Sequence, residues 1–164
     1  MKARLDFVGL YESYAADVYR FAYWLSGETA EAEDITSETF VRAWARRDDS
    51  RTETLKAYLF VIARNVYLEQ LRRDRRRVPL EDVHPDPGPG PDRHVEARQE
   101  LGRVRDLLLG LSETDRAAFL LRVRHGLPYE ETARVLGISV VAAKVKVHRV
   151  RRMLLRDRMK REVF

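Results

Sequence analysis

The chain has no cysteine among its 164 residues, which excludes disulfides and thiolate metal sites. Its four histidines lack the H-E-x-x-H and H-x-x-E-H spacings of zinc enzymes, so we expect no metal and no other cofactor. No apolar run reaches the roughly 20 residues that a membrane-spanning helix needs. Glu12 and Asp17 interrupt the first apolar stretch, unlike a signal peptide. These absences favour a soluble cytoplasmic protein.

Proline is scarce outside a single segment, since five of the six prolines lie within residues 78–95. Proline removes a backbone donor and disfavours helix at the preceding residue. We therefore predict a flexible, Pro/Gly-rich linker over 78–95, joining two small domains over 1–77 and 96–164. The linker carries four acidic residues and one arginine, so it is acidic.

Positive charge is concentrated in two places. Residues 64–77 hold six basic and two acidic groups, and residues 139–164 hold nine basic and two acidic groups. The net charge of the chain is +5, so the remainder is about −6 (5 − 4 − 7). Two basic stretches on an otherwise acidic chain indicate two contacts with a polyanion. The alternative is two solvated helix faces.

Apolar spacings of three and four residues predict an all-α fold. In the first half, three or four helices are expected, the first ending at Ser26-Gly27, the second near 29–46 and the third near 53–77. The polar stretch 47–52 is predicted to be a turn. In the first helix the predicted inward stripe includes Val8 and Tyr11.

The second half is predicted to be a four-helix domain with a helix-turn-helix. Ser112-x-x-Asp115 resembles a capping box, and Gly126 and Pro128 mark the end of one helix and the start of the next. Gly137-Ile138-Ser139 then predicts a tight turn in which Ser139 caps the last helix.

The last helix is predicted to present a cationic face. Ala143, Val147, Val150 and Leu154 recur at helical spacing and are expected to pack inward. Lysine, histidine and arginine side chains lie outside that stripe, where they suit the phosphates and base edges of a major groove. The alternative is an amphipathic helix on a solvated surface.

The third helix also ends in a basic run, which follows the aromatic residues Tyr58, Phe60 and Tyr67. Aromatics beside cations suit single-stranded DNA, where bases stack and phosphates pair. For Tyr58 and Phe60 a place in the hydrophobic core is an equally good interpretation.

Three stretches resemble one family. These are A-E-A-E-D-I-T-S-E-T-F-V-R-A-W (30–44), A-Y-L-F-V-I-A-R-N-V-Y-L-E-Q-L-R-R (57–73) and L-P-Y-E-E-T-A-R-V-L-G-I-S-V-V-A-A-K-V-K-V-H-R-V-R-R-M-L (127–154). They resemble the extracytoplasmic-function (ECF, group 4) sigma factors of bacterial RNA polymerase. The resemblance covers nearly the whole chain, in the right order, with the family's linker between its two domains.

The resemblance implies a mechanism without catalysis by the chain itself. The first domain would dock on the β′ clamp helices of core polymerase and melt the promoter −10 element, holding a flipped base. The second would read −35 duplex against the β flap, and the linker would thread toward the active-site cleft. A dedicated anti-sigma factor is a further partner that the resemblance suggests.

The resemblance also assigns residues by position. Asn65 matches the reader of the −10 base, and the turn 47–52 matches the loop that shapes its pocket. The expected −10 set is Asn65, Arg64, Lys56, Arg51, Arg72 and Arg73. The expected −35 set is Ser139, Lys144, Val145, His148, Arg149 and Arg152. The expected polymerase contacts are Asp34, Ser37, Glu38, Val41 and Arg42.

The chain departs from the family's usual residues at a few positions. Val141-Ala142-Ala143 stands where the family usually has Gly-Thr-Val, and Val145 stands where a polar residue is usual. Milder changes are Tyr58 for tryptophan and Glu69 for aspartate.

Two other functions compete with a sigma factor. A one-component helix-turn-helix regulator would not need the motifs of the first half. A nuclease would need clustered carboxylates or a nucleophile with a base, and neither pattern is present.

Overall fold

A computed structural model describes residues 6–46, 54–75 and 95–163, and every regular element in these three ranges is a helix. The predicted turn 47–52, with Arg51, and most of the proline-rich linker lie outside the described residues. None of the described helices is long and apolar enough to cross a membrane.

The first half forms three helices, α1 (Phe7–Ser26), α2 (Thr29–Ala45) and α3 (Leu55–Asp74). Helix α1 begins where the Asp6 carboxylate accepts from the backbone N–H of Gly9 at 2.7 Å. It ends at Gly27, whose φ of 81° is left-handed and favours glycine. Thr54 caps α3 in the same way, accepting from Ala57. These caps explain why the predicted and observed helix limits agree to within three residues.

The core of the first half contains most of the predicted apolar residues. Phe21, Leu25, Ile35, Phe40 and Leu59 are fully buried between the three helices. The prediction was wrong for Val8 and Tyr11, which are exposed. Both lie in the first turns of α1, where Leu10 is the buried residue and the Tyr11 ring packs against Phe40 from the exposed side.

The second half contains α4 (Val95–Leu109), α5 (Glu113–Phe119), α6 (Tyr129–Leu136) and α7 (Val140–Glu162). A π-helical turn over Leu120–Arg124 continues α5, because the N–H of His125 bonds to the carbonyl of Leu120 at 3.0 Å. Gly126 follows with a φ of 68°, as its position in the sequence predicts.

The two halves pack against each other, so their apolar side chains form one continuous cluster. α1 contacts α4 and α5, and α3 contacts α6. At Gly27 the approach is close, since a Cβ built there would lie 2.7 Å from Cδ1 of Leu109. The sequence predicted two domains but did not predict this contact between them.

Candidate nucleic-acid and polymerase interfaces

Helices α6 and α7 form the predicted helix-turn-helix. Gly137 takes a φ of 66° at the end of α6, and the Ser139 hydroxyl accepts from the N–H of Ala142 at 3.1 Å. Ala143, Val147 and Val150 are buried, as predicted, and Leu154 is partly buried. The turn and cap therefore fix the direction of α7, and the apolar stripe fixes its rotation about the helix axis.

The opposite side of α7 is a shallow concave surface. The side chain of Val145 is among those that line it, and the residue is 49% exposed, which excludes a place in the core. Ser139 lies at the exposed N-terminal end of the same helix. The structure thus brings the predicted −35 residues together on one helix face, whose lining residues are Lys144, Val145, His148, Arg149, Arg152, Met153 and Arg156.

Asp115 of α5 holds this helix from behind. Its carboxylate accepts from Nζ of Lys146 at 2.9 Å and lies 3.5 Å from a guanidinium nitrogen of Arg149. Burial alone would raise the pKa of the Asp115 carboxyl, but the hydrogen bond and charge of Lys146, with the charge of Arg149, lower it below the ordinary value. Asp115 therefore stays ionised and places Arg149 at the edge of the face.

Sequence reasoning assigned Asp115 only to a capping box. Ser112 does cap α5, since its hydroxyl accepts from the N–H of Asp115 at 3.2 Å. The carboxylate itself reaches α7, 31 residues along the chain. No local sequence pattern predicts the pair of Asp115 and Lys146. It becomes evident only when the fold buries an acidic residue beside a basic helix.

Tyr129 is another residue that sequence reasoning missed. Its ring lies beneath two cations, with Cζ of Arg122 at 4.5 Å and Nζ of Lys144 at 5.7 Å from the ring centroid. A cation over an aromatic face is stabilised by the ring quadrupole. Tyr129 therefore orients Lys144 at the start of the concave surface.

The predicted −10 residues do not all share one surface. Asn65 and Arg72 are exposed, and their separation of seven residues puts them on one side of α3. Arg64 and Lys56 face the C-terminal domain, where Arg64 pairs with Glu113 and Lys56 reaches the carbonyl of His125. Arg73, nine residues after Arg64, lies on the opposite side and lines a cleft with α2. Arg51 lies outside the described residues.

Two of the three aromatics of α3 are core residues. Phe60 is 1% exposed and Tyr67 is 5% exposed, so in this arrangement neither can stack on a base. Tyr58 is partly buried. The core interpretation therefore holds for Phe60, and Tyr67 is likewise a core residue in this arrangement, since both side chains face the α1 and α5 side.

The predicted polymerase contacts line one cleft between α2 and α3. Val41 is 60% exposed at its rim, so its apolar side chain is open to solvent. Arg42 donates to both carboxylate oxygens of Glu69, at 3.1 and 2.8 Å, and to Glu38 at 2.8 Å. The hydrogen bond from Arg42 is the main cause that lowers the pKa of the Glu69 carboxyl. This network ties α2 to α3 and leaves Asp34, Ser37 and Val41 exposed.

A helix-turn-helix with a cationic face, packed against a second helical unit, is typical of the class of all-helical DNA-binding proteins. The family models agree in detail. Residues 10–77 match "Sigma-70 region 2", and residues 101–154 match "Sigma-70, region 4".

Individual relatives show the same likeness. The ECF RNA polymerase sigma factor SigE of Mycolicibacterium smegmatis is 32% identical over 88% of this chain and 58% of its own length. SigL of Mycobacterium tuberculosis is 31% identical over 85% of this chain and 81% of its own length. The sigma factor RpoE of Bartonella quintana, solved with the anti-sigma factor NepR, superposes with a TM-score of 0.71 at 28% identity, over 90% of this chain and 92% of that one.

The chain therefore belongs to the ECF RNA polymerase sigma factors, which carry sigma-70 regions 2 and 4 and direct the polymerase to promoters. This confirms the family resemblance of the three sequence stretches. It also decides against an enzyme or a one-component regulator.

Proposed function

We propose that this chain docks on the β′ clamp helices through α2, reads and melts −10 DNA with α3, and reads −35 duplex with α7. The observation that carries the proposal is the concave cationic face of α7, within the stretch that matches region 4. A helix of this shape and charge fits a major groove. The β flap would then support the C-terminal domain, and the acidic linker would enter the basic channel of the polymerase.

The exposed face of α2 supports the docking role. Asp34 and Ser37 are exposed beside Val41, so the surface offers polar groups around one apolar side chain. Interfaces of this kind depend on a few buried apolar anchors within a polar rim. Polymerase and promoter share the cytoplasm, so we place the protein there.

An anti-sigma factor is part of the same proposal. The Bartonella quintana relative is seen with the anti-sigma factor NepR. A partner of that kind would cover the α2 face or the α7 face. Both are exposed, and we propose that the first contacts the polymerase and the second contacts DNA.

Gel filtration with core RNA polymerase tests the docking. The wild-type chain is expected to co-elute with core at micromolar concentration. Val41→Asp places a charge at the centre of the interface and is expected to abolish co-elution. Val8→Asp is the matched control, because Val8 is equally exposed but lies on α1. Failure of the wild-type chain to co-elute would overturn the proposal. When it does co-elute, in vitro transcription from a promoter library identifies the sequences that it reads.

A further inference from the structure

One face of α3 is covered by the C-terminal domain. Lys56, Phe60, Arg64 and Tyr67 follow one another at spacings of four, four and three residues, so they lie along one side of the helix. Each of them contacts α5 or the segment that ends at His125. The covered face therefore includes two residues to which we assign a role in −10 recognition, Lys56 and Arg64.

Arg64 makes the strongest polar contact of this interface. Its Nε and a terminal nitrogen donate to the two carboxylate oxygens of Glu113 at 2.7 and 2.8 Å. The two side chains are only 13% and 14% exposed. A bidentate pair of this kind fixes the geometry of both side chains, and removal of either partner would leave a largely buried charge unpaired. One edge of the Arg64 guanidinium is thus occupied by a carboxylate of the other domain.

Arg116 links the domains at the centre of the interface, where it is 4% exposed. It donates to the carbonyl of Leu25 at 2.9 Å and to the hydroxyl of Tyr67 at 3.1 Å, and also to the carbonyls of Leu108 and Leu111. Leu25 and Leu108 lie in the last turns of α1 and α4, where the helix dipole favours a cation. Two of its four acceptors, on Leu25 and Tyr67, are therefore available only while the two domains are in contact.

His125 fills the remaining space. Its ring lies 4.8 Å from the ring centroid of Phe60 and 5.9 Å from that of Phe21. Its backbone carbonyl accepts from Nζ of Lys56 at 3.4 Å. The second predicted −10 cation is therefore also turned toward the C-terminal domain.

We propose that the C-terminal domain competes with promoter DNA for this face of α3, with Glu113 occupying Arg64 until the two domains separate. The inference rests on the proposed role of Arg64 and Lys56 in −10 recognition. A carboxylate and a phosphate bind the guanidinium fork in the same bidentate way, so Glu113 takes the place of a DNA phosphate. The state seen here is closed to the −10 strand at Arg64, although Asn65 remains exposed.

The competition has a measurable size. For a ligand that binds only the open state, the apparent Kd equals the intrinsic Kd divided by the fraction of molecules that are open. Removing the Glu113 charge favours opening, and we expect single-stranded DNA to bind roughly tenfold more tightly, the change expected for the loss of about one charge-assisted hydrogen bond.

The first experiment measures the separation of the domains. Because the chain has no cysteine, Glu12→Cys and Glu130→Cys introduce two unique sites for spin labels, on exposed positions of α1 and α6. Double electron–electron resonance then reports the distance between them. Glu113→Gln is expected to lengthen and broaden that distance. Glu96→Gln, an equal change of charge at an exposed position of α4, is expected to leave it unchanged.

The second experiment measures DNA binding on the same variants. The probe is a fluorescein-labelled, 15-nucleotide single strand of random sequence, followed by anisotropy. Glu113→Gln should bind the strand about tenfold more tightly than wild type. Glu96→Gln should show only the small gain in affinity that the loss of one negative charge produces. Adding Arg64→Ala to Glu113→Gln should remove the gain, because Arg64 is the group that the opening releases.

Exchanging the two charges distinguishes a specific pair of Arg64 and Glu113 from a general weakening of the contact between the domains. Glu113→Arg should open the domains, and Arg64→Glu together with Glu113→Arg should restore the wild-type distance. An unchanged distance in Glu113→Gln would overturn the closed state. A longer distance with no gain over Glu96→Gln in DNA binding would overturn the competition. Neither result bears on the proposed sigma activity, which is judged by co-elution of the wild-type chain with core polymerase.

Discussion

Val145 exposes its isopropyl group between Lys144 and His148 on the concave surface of α7. A valine there can contact a thymine methyl group but cannot form the hydrogen bond of a polar residue. We predict that Val145→Ser changes base preference at one position of the −35 element. The salt dependence of binding and the melting temperature should stay the same, because the side chain is neither charged nor buried. Fluorescence anisotropy on a set of −35 duplexes, with differential scanning calorimetry, measures both.

Arg149→Ala is the comparison for Val145→Ser. If Arg149 meets a phosphate, its loss should weaken binding to all duplexes and reduce the salt slope by about one contact. If it reads a guanine, the loss should be roughly 1–3 kcal/mol and confined to one base pair. A lower melting temperature for Val145→Ser with unchanged base preference would contradict our assignment of Val145.

Asn65 is exposed on α3, and its amide carries both a donor and an acceptor. We predict that Asn65→Ala weakens formation of the open promoter complex while leaving the melting temperature of the chain unchanged. The reason is loss of hydrogen bonds to a flipped base, with no loss of buried surface. Permanganate footprinting of the polymerase complex measures the melted bases. Normal melting with an unchanged −10 preference would show that Asn65 is not the reader.

At this scale the sequence predicted which residues of α7 point outward, because a single stripe of buried positions fixes the rotation of the helix. It did not predict that Asp115 and Tyr129 hold Lys146, Arg149 and Lys144 in place. Those contacts join residues far apart in the sequence or rely on ring geometry, and neither leaves a local pattern.

At the scale of elements, Asp115 connects α5 to α7. We predict that Asp115→Asn lowers the free energy of unfolding by roughly 1–3 kcal/mol, because Lys146 keeps a neutral acceptor but loses its partly buried counter-charge. Asp106→Asn is the control, since the Asp106 carboxylate is largely exposed and its ion pair within the described part of the chain is with Arg105 at 3.6 Å. Urea unfolding at neutral pH measures the difference. Equal stability of the two variants would contradict a structural role for Asp115.

The helix limits were predictable because caps mark them. Ser112, Ser139 and Gly137 all act at the ends where the sequence suggested them. The π-helical turn over Leu120–Arg124 was not predicted, because no residue in it disfavours an ordinary α-helix. The turn closes where the chain meets α1, so packing rather than local preference accounts for its position.

At the scale of the whole molecule, His125 makes the contact between the domains sensitive to acid. Burial between Phe21 and Phe60, with the positive charge of Lys56, lowers the pKa of His125 to about 4. Arg124 and Arg20 act in the same direction, and Asp17 acts against them. The folded, closed state therefore holds the ring neutral, whereas the unfolded chain protonates it near the ordinary value of about 6.5.

The direction of the pH dependence of stability follows from this difference between the folded and unfolded pKa of His125. The contribution of a neutral His125 is fully present above pH 6.5 and is lost as the pH falls toward 4, at most about 3 kcal/mol. We predict that His125→Phe, which keeps a ring but cannot titrate, makes the unfolding free energy depend less steeply on pH between these values. The change in slope should correspond to at most one proton taken up on unfolding. Urea unfolding of both proteins at several pH values measures the slope. Identical slopes would show that His125 is not buried in the neutral form.

The two-domain division was predictable from where the prolines lie, and the two matched regions, 10–77 and 101–154, fall on either side of them. The contact between the domains was not. Arg64, Arg116 and His125 each find partners 49 or more residues away, and such pairs depend on the assembled fold rather than on any periodicity.

Arg64 has a consequence for how this chain can evolve or be engineered. In the competition that we propose, one side chain serves two mutually exclusive partners, so any substitution there changes both the resting state and the active complex at once. A genetic screen for higher promoter activity would see only the sum of the two effects. Substitutions at Glu113 escape this coupling, because they alter only the resting state. Selection for greater basal output is therefore expected to yield changes at Glu113 before changes at Arg64.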